Sequence, residues 1–435
     1  MFQPFCASKP ESYRGVSMRD LIFISLENWD GVWRRNQFLC VEWLRRFPTM
    51  RLLFVGRSRD VSHAVRKGDR TVFSQPAEQK VPDLPGLTIL NPLKPLPNSI
   101  SPARWINQRL MLAEIRSAAQ RAGLRSPLLW INDHFAAHLA GKLGERAVIY
   151  DVTDDWALMN SIPQNERQRI READAALCKA ADLVVVCSEA LERSRRRLSR
   201  KLARIPNGVD AERYGCVTPR GCDSEQGARK TFGYVGTLHG DRLDLELVIA
   251  LARRRPSDRV VLCGPNLLTE TEAHQLRAHA NVELRAAVDY QRVPGLIEEF
   301  DVCILPHRCT PFTESLNPIK LWEYLASGKP VAATPVAGFR DYGHLFQLAK
   351  GEDGFLGACE KALQEDARLA GVRMREAARH SWKVRADDLL EIFRQEGWMA
   401  RNPIRRTRTQ QGTRRTLRRA EVAVGQPELF ASEGV

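Results

Sequence analysis

Lys320 and Glu323 stand three residues apart in the string Asn317-Pro-Ile-Lys-Leu-Trp-Glu-Tyr324, which follows a strand-like apolar run. That spacing sets an ammonium and a carboxylate on one helix face. Asn317 suits an N-cap and Pro318 the first helical position, so a helix is predicted from there to near Gly328. Its unpaired N–H groups and dipole favour a phosphate group. Lys320 in the first turn opposes that dipole at a cost of about 0.3–1 kcal/mol, which a bound anion would offset. Lys320 can then hold a diphosphate while Glu323 accepts hydrogen bonds from ribose hydroxyls. The plain alternative is an i, i+3 surface ion pair.

Other residues could complete such a site. In Gly236-Thr-Leu-His-Gly-Asp-Arg242, Gly236 and Gly240 leave room for backbone to approach phosphate, with Thr237 in the same turn. Arg242 adds a charge-assisted contact of roughly 1.5–3 kcal/mol if well placed. Gly264-Pro265 ends the next strand and could contact a base, and His307 beside Arg308 could reach a diphosphate. Removal of a hydroxyl proton calls for a carboxylate or imidazole base. Asp133 and His134 end one predicted strand and Asp151, Asp154 and Asp155 the next; Asp154 is the preferred base, with Asp151, Asp155 and His134 orienting an acceptor or sugar. Each of these Asp residues could equally cap a helix or form a turn. Gly31 permits close approach near the first strand; Arg34 and Arg35 could neutralise phosphate, while Trp29 and Trp33 could pack between domains.

The elements that must position these residues repeat a β-loop-α rhythm. Strands are predicted over Asp20–Ser25, Arg51–Val55, Leu128–Ile131, Ala147–Tyr150 and Asp182–Val186, with residues 81–103 read as an irregular loop. A Gly-, Cys-, Arg- and Ser-rich stretch up to Lys230 marks a boundary, after which strands resume over Thr231–Val235, Arg259–Cys263, Asn281–Leu284, Asp301–Leu305 and Pro330–Ala333. The expected fold class is α/β, with two doubly wound Rossmann-like domains at 18–208 and 209–380. A terminal helix within 381–400 returns to the first domain, and a basic disordered tail fills 401–435.

The 435 residues suit two domains, and 43% apolar content suits folded ones. Cys187, Cys263 and Cys303 lie in apolar runs and read as buried thiols; no Cys/His spacing suggests a structural metal, and no cofactor is expected. No apolar run reaches a membrane span and residues 1–17 lack a secretory signal pattern, so a cytoplasmic place is expected. The net charge of +14 favours an anionic partner. The basic segment Leu191–Arg204 reads as a solvated helical face that, with the tail, could meet an anionic membrane surface. The tail has no interleaved aromatic residues, so a nucleic-acid partner is not expected.

Asn317-Pro-Ile-Lys320, Glu323-Tyr-Leu-Ala-Ser-Gly-Lys-Pro-Val331 and Ile205-Pro-Asn-Gly-Val-Asp210 resemble signatures of GT-B glycosyltransferases of the group-1 type, similar to bacterial enzymes of exopolysaccharide and teichuronic acid assembly. Trp29 to Gln37, Tyr150 to Asp155 and Tyr234 to Leu238 extend the resemblance over about residues 20–398. It implies a nucleotide-sugar donor in the second domain, with Lys320 on the diphosphate and Glu323 on the ribose, and a saccharide or lipid-linked acceptor. Glu314 would face the donor sugar, although eight residues rather than seven separate it from Glu323, and Ser-Leu-Asn replaces the family's glycines. The alternatives are a nucleotide-sugar epimerase of the same fold or a basic nucleic-acid-binding protein.

Overall fold

Continuous apolar runs bounded by turn residues build two sheets whose strands are buried on both faces, as parallel sheets require. The computed structural model describes residues 16–74, 76–215 and 229–401. Most of the boundary stretch before Lys230 and nearly all of the Arg-rich tail lie outside the described residues.

The first sheet has eight strands: β1 (Asp20–Ile24), β2 (Arg51–Val55), β3 (Glu78–Val81), β4 (Leu84–Leu90), β5 (Leu128–Ile131), β6 (Ala147–Val152), β7 (Leu183–Val186) and β8 (Leu202–Arg204). Their order is β8-β7-β6-β5-β1-β2-β4-β3, all parallel except the β3/β4 pair. The second sheet is wholly parallel, in the order β11-β10-β9-β12-β13-β14. Its strands are β9 (Thr231–Val235), β10 (Arg259–Cys263), β11 (Val282–Arg285), β12 (Val302–Leu305), β13 (Val331–Ala333) and β14 (Gln347–Leu348). In each sheet the order reverses direction beside the first strand, between β1 and β5 and between β9 and β12. Ligands of doubly wound sheets sit at the carboxyl ends of such strands.

Two sequence expectations are corrected here. The stretch 81–103 is not all loop, because β4 pairs in parallel with β2 from Leu52↔Leu87 to Val55↔Leu90. Pro85 precedes that ladder, so its missing N–H breaks no bond of it. The basic segment 191–204 is not one helix either: the helix Glu189–Arg195 ends, and β8 follows at Leu202. Arg195 turns inward to Asp155 and Asp174, so the segment lacks an all-solvated basic face.

The helix α1 (Arg35–Arg46) carries Phe38 and Trp43 inward, and the terminal helix α2 (Trp382–Gln395) packs on it. Phe38 stacks on Trp382 with centroids 4.9 Å apart and planes at 11°, and also meets Tyr290 edge-on at 5.0 Å. Further bonds join the two lobes. Asn207 N donates to Asn317 Oδ1 at 2.8 Å, the Ser188 hydroxyl to the Ser315 carbonyl at 2.6 Å, and Tyr290 N to the Gly31 carbonyl at 2.8 Å. With Trp33 stacked on Tyr290 at 5.8 Å, these contacts fix the lobes edge to edge around a cleft.

Candidate functional site

The carboxyl ends of both sheets open onto one cavity of about 500 Å³. From the second lobe, Gly236 and Thr237 follow β9, Gly264 and Pro265 follow β10, His307 lies just beyond β12, and Asn317, Pro318 and Lys320 come from the start of the helix α3 (Ile319–Ala326). Glu27 follows β1 on the opposite wall, Asn132 follows β5, and Thr153 and Asp154 follow β6.

The second-lobe wall is suited to an anion. Lys320 lies in the first turn of α3, and its Nζ donates to Glu323 Oε2 at 2.5 Å. The i, i+3 pair therefore exists, but only the lysine lines the cavity; Glu323 is buried beneath it and, after burial itself, is the main cause holding up the phenol of Tyr290. The helix starts one residue later than expected. Pro318 holds the cap position without a side-chain cap, because the Asn317 side chain accepts from Asn207 N across the lobes instead. Gly264 has φ +151°, and a Cβ there would lie 2.0 Å from the Gly236 carbonyl oxygen, so this close strand-end packing admits only glycine.

Arg242 reaches the same wall, its guanidinium 3.8 Å from Asp154 of the facing lobe and over the Phe312 ring at 6.0 Å. His307 is buried, and neither ring nitrogen has a hydrogen-bond partner among the described residues. Burial, then the charge of Arg242, push its pKa down to about 3, so it is neutral and presents one donor and one acceptor.

On the first-lobe wall Asp154 faces the cavity with Thr153 Oγ1 donating to it at 3.0 Å. Burial raises its pKa more than Arg242 lowers it. Glu27 was not singled out from the sequence, although it too directly follows a strand at the carboxyl edge. Its pKa is raised chiefly by burial, lowered by Arg34 and Arg57, and raised again by Asp154. Two carboxyls that feel each other thus share this wall.

Of the remaining sequence-selected residues, Arg34 and Arg35 also line the cleft, while Asp151, Asp155, His134, Glu314 and Gly31 do not. Asp151 is fully buried below the cleft floor, paired with Arg35 Nε at 2.9 Å, and Arg35 Nη1 also donates to the Ile205 carbonyl and to Asn207 Oδ1. The charge of Arg35 is therefore met inside the protein. Asp155 is held by Arg195 at 2.5 Å, and the His134 ring lies tilted at 57° against Phe135; with Asp151 they line a small adjoining cavity of about 20 Å³, whose lining shares Asp154 with the cleft. Burial lowers the pKa of His134. Glu314 is bound to Arg340 on the surface at 2.6 Å and does not line the cleft. Gly31 meets Asp289 rather than the cavity; a Cβ there would lie 2.2 Å from Asp289 Oδ1.

A structural role for Asp151 gives a distinct result. Asp151→Asn leaves the buried Arg35 guanidinium without its counter-charge, so unfolding free energy falls by about 3–5 kcal/mol. Urea denaturation reads this directly. An unchanged midpoint with lost turnover would instead place Asp151 in the chemistry.

Two Rossmann-like lobes facing a cleft at their carboxyl edges define the GT-B fold. Sucrose-phosphate synthase from Thermosynechococcus elongatus superposes with TM-score 0.65 and 16% identity over 87% of this chain and 98% of its own. Anabaena Alr3699/HepE, solved in complex with UDP and glucose, gives TM-score 0.60 and 14% identity over 86% and 99%.

Residues 229–367 match the family described as "Glycosyl transferases group 1", so the chain carries a group-1 glycosyltransferase domain. It is 26% identical over 235 residues to TuaH of Bacillus subtilis (strain 168), named as a teichuronic acid biosynthesis glycosyltransferase, covering 50% of this chain and 59% of that protein. It is 25% identical over 277 residues to the D-inositol 3-phosphate glycosyltransferase of Corynebacterium urealyticum, covering 55% and 62%. The alignments thus span about three fifths of these relatives. No described helix is long and apolar enough to cross a membrane.

Proposed function

We propose that the chain moves a glycosyl group from a nucleotide-diphosphate donor, seated on the second lobe, to a hydroxyl of a saccharide acceptor against the first. The observation that carries this reading is the convergence on one wall of the α3 amino end, Lys320, Arg242 and the closely packed Gly236/Gly264 strand ends. Two cations and free backbone N–H groups suit a pyrophosphate whose negative charge grows as it leaves. The apolar shelf of Val288, Tyr290 and Val293 beside Lys320 suits a nucleoside.

The first lobe then supplies proton transfer. Asp154 accepts the proton of the acceptor hydroxyl while the glycosyl bond to the diphosphate breaks, and Arg242 sits between that carboxylate and the departing phosphate. Glu27 hydrogen-bonds the acceptor. The similarity to TuaH, named for teichuronic acid biosynthesis, supports a role in surface polysaccharide assembly, and we take the acceptor saccharide to be lipid-linked.

Donor binding is the direct test. Thermal-shift titration with UDP-, GDP- and ADP-sugars is expected to single out one nucleotide, whose binding to the native state alone raises the midpoint. Incubation of that sugar without an acceptor is expected to leave its stereochemistry unchanged. Accumulation of an epimer would replace transfer with epimerisation, and the absence of any nucleotide-dependent shift would sink both readings.

A further inference from the structure

Helix α4 (Ser101–Arg121) of the first lobe buries Ala103, Asn107, Ile115 and Ala118, which should leave a polar outer face. It does not. Trp105, Ile106 and Leu110 point outward, with Ile100 just before them, and Val65 and Phe73 stand out from the neighbouring segment 61–74. Val65, Phe73, Ile100 and Trp105 are each more than half exposed. The two segments form one face because the helix Val61–Lys67 and α4 both pack on Leu93–Lys94, which pairs with Arg59–Asp60. Singly exposed apolar residues are ordinary on a protein surface, but six on one face are not.

The charges of this face are sorted by sign. Residues 57–74 and 92–116 carry nine Lys or Arg against Asp60, Asp69 and Glu114. All three acids are held locally: Asp60 by Lys94, Asp69 by Thr71 and Glu114 by the Leu93 N–H. Arg66, Lys67, Arg70 and Arg109 are exposed, and no carboxylate pairs with them among the described residues. The Arg109 guanidinium lies 4.1 Å above the Trp105 ring, an arrangement that keeps a cation at the level of an amphipathic indole.

Apolar tips ringed by unpaired cations complement an anionic lipid surface, where aromatic and aliphatic side chains enter the headgroup boundary and basic ones meet lipid phosphates. A protein partner would have to supply a matching acidic rim. We propose that this face, from Val65 to Phe73 and Ile100 to Leu110, docks on an anionic leaflet. Arg57 lines the cleft only two residues before Arg59, so docking would bring the cleft mouth close to the bilayer. The proposal adds the membrane partner to the transferase reading, and it can fail without that reading failing.

Flotation of the full chain with vesicles containing phosphatidylglycerol tests it. Binding is expected to be strong there and weak on phosphatidylcholine alone. Arg66→Gln with Lys67→Gln should lower partition roughly twenty-five-fold, since each basic residue near the surface contributes about five-fold. Trp105→Ser with Ile106→Ser should lower it at least about ten-fold, while the donor-induced thermal shift persists and shows an intact fold.

The Arg-rich tail could bind vesicles by charge alone, so depth of insertion provides a second measurement. Lipids brominated on the acyl chains should quench part of the tryptophan fluorescence of the wild-type protein, and Trp105→Phe should remove that part without unfolding the chain. Wild-type and both double variants floating equally, or quenching unaltered by Trp105→Phe, would overturn the proposal, as would stronger binding to DNA than to anionic vesicles.

Discussion

Asp154→Asn is expected to lower turnover by about 10²–10⁴-fold with little change in donor affinity, as loss of a positioned general base does. The pH profile makes the expectation specific. Burial holds the Asp154 pKa above the ordinary carboxylate value, with Arg242 pulling the other way. A base works ionised, so activity is present above this raised pKa and is lost as pH falls through it. The acid limb of kcat should therefore lie at higher pH than a solvated carboxylate would give. Removing the lowering influence through Arg242→Gln should move the limb to higher pH still, whatever it does to donor affinity. Glu27→Gln is the informative companion, because the Asp154 charge also raises the Glu27 pKa. If Asp154→Asn retained most of its turnover and left the limb in place, the proton would pass to Glu27 or to the leaving phosphate, and Glu27→Gln would separate those two.

The sheets were legible from sequence because parallel strands, buried on both faces, read as unbroken apolar runs. Thr231–Val235 and Arg259–Cys263 were bounded to the residue. β4 was missed because Pro85 and Gly86 open it, and turn chemistry outweighed the short run Leu87-Thr-Ile-Leu90 that follows. Carboxyl-edge logic brought Asp154, Gly236, Thr237, Gly264, His307 and Lys320 to one cleft, since every residue just after a parallel strand faces the same edge. The same logic could not separate Asp154 from Asp151 and Asp155. Alternation along β6 and the loop after it turns Asp151 down to Arg35 and Asp155 sideways to Arg195, and both partners are far away in sequence. Glu314 shows the same limit: Arg340, which neutralises it, lies 26 positions further along. Spacing finds edges; only tertiary pairing says which charged residues remain free for a ligand.

Lys320→Ala carries the second large effect, and two consequences of one substitution must be told apart. Glu323 is almost wholly buried and takes a hydrogen bond from Lys320, so the variant leaves a buried carboxylate without its counter-charge and a lower melting midpoint without any ligand. That loss alone says nothing about a donor. The donor role is read from the increment that a nucleotide sugar adds to each protein's own midpoint. A charge-assisted contact to diphosphate is worth about 1.5–3 kcal/mol, so its removal should weaken donor binding roughly ten- to a hundred-fold and erase most of the increment. Glu323→Gln provides the contrast, since it keeps the ammonium at the cavity wall and frees it from its ion pair. Its increment should persist, because the buried Glu323 carboxylate does not line the cavity and so does not take the ribose role that the sequence suggested for it. Equal increments in wild type and Lys320→Ala would mean that the ammonium exists to neutralise Glu323, and the anion-binding wall would then rest on Arg242 and the amino end of α3 alone.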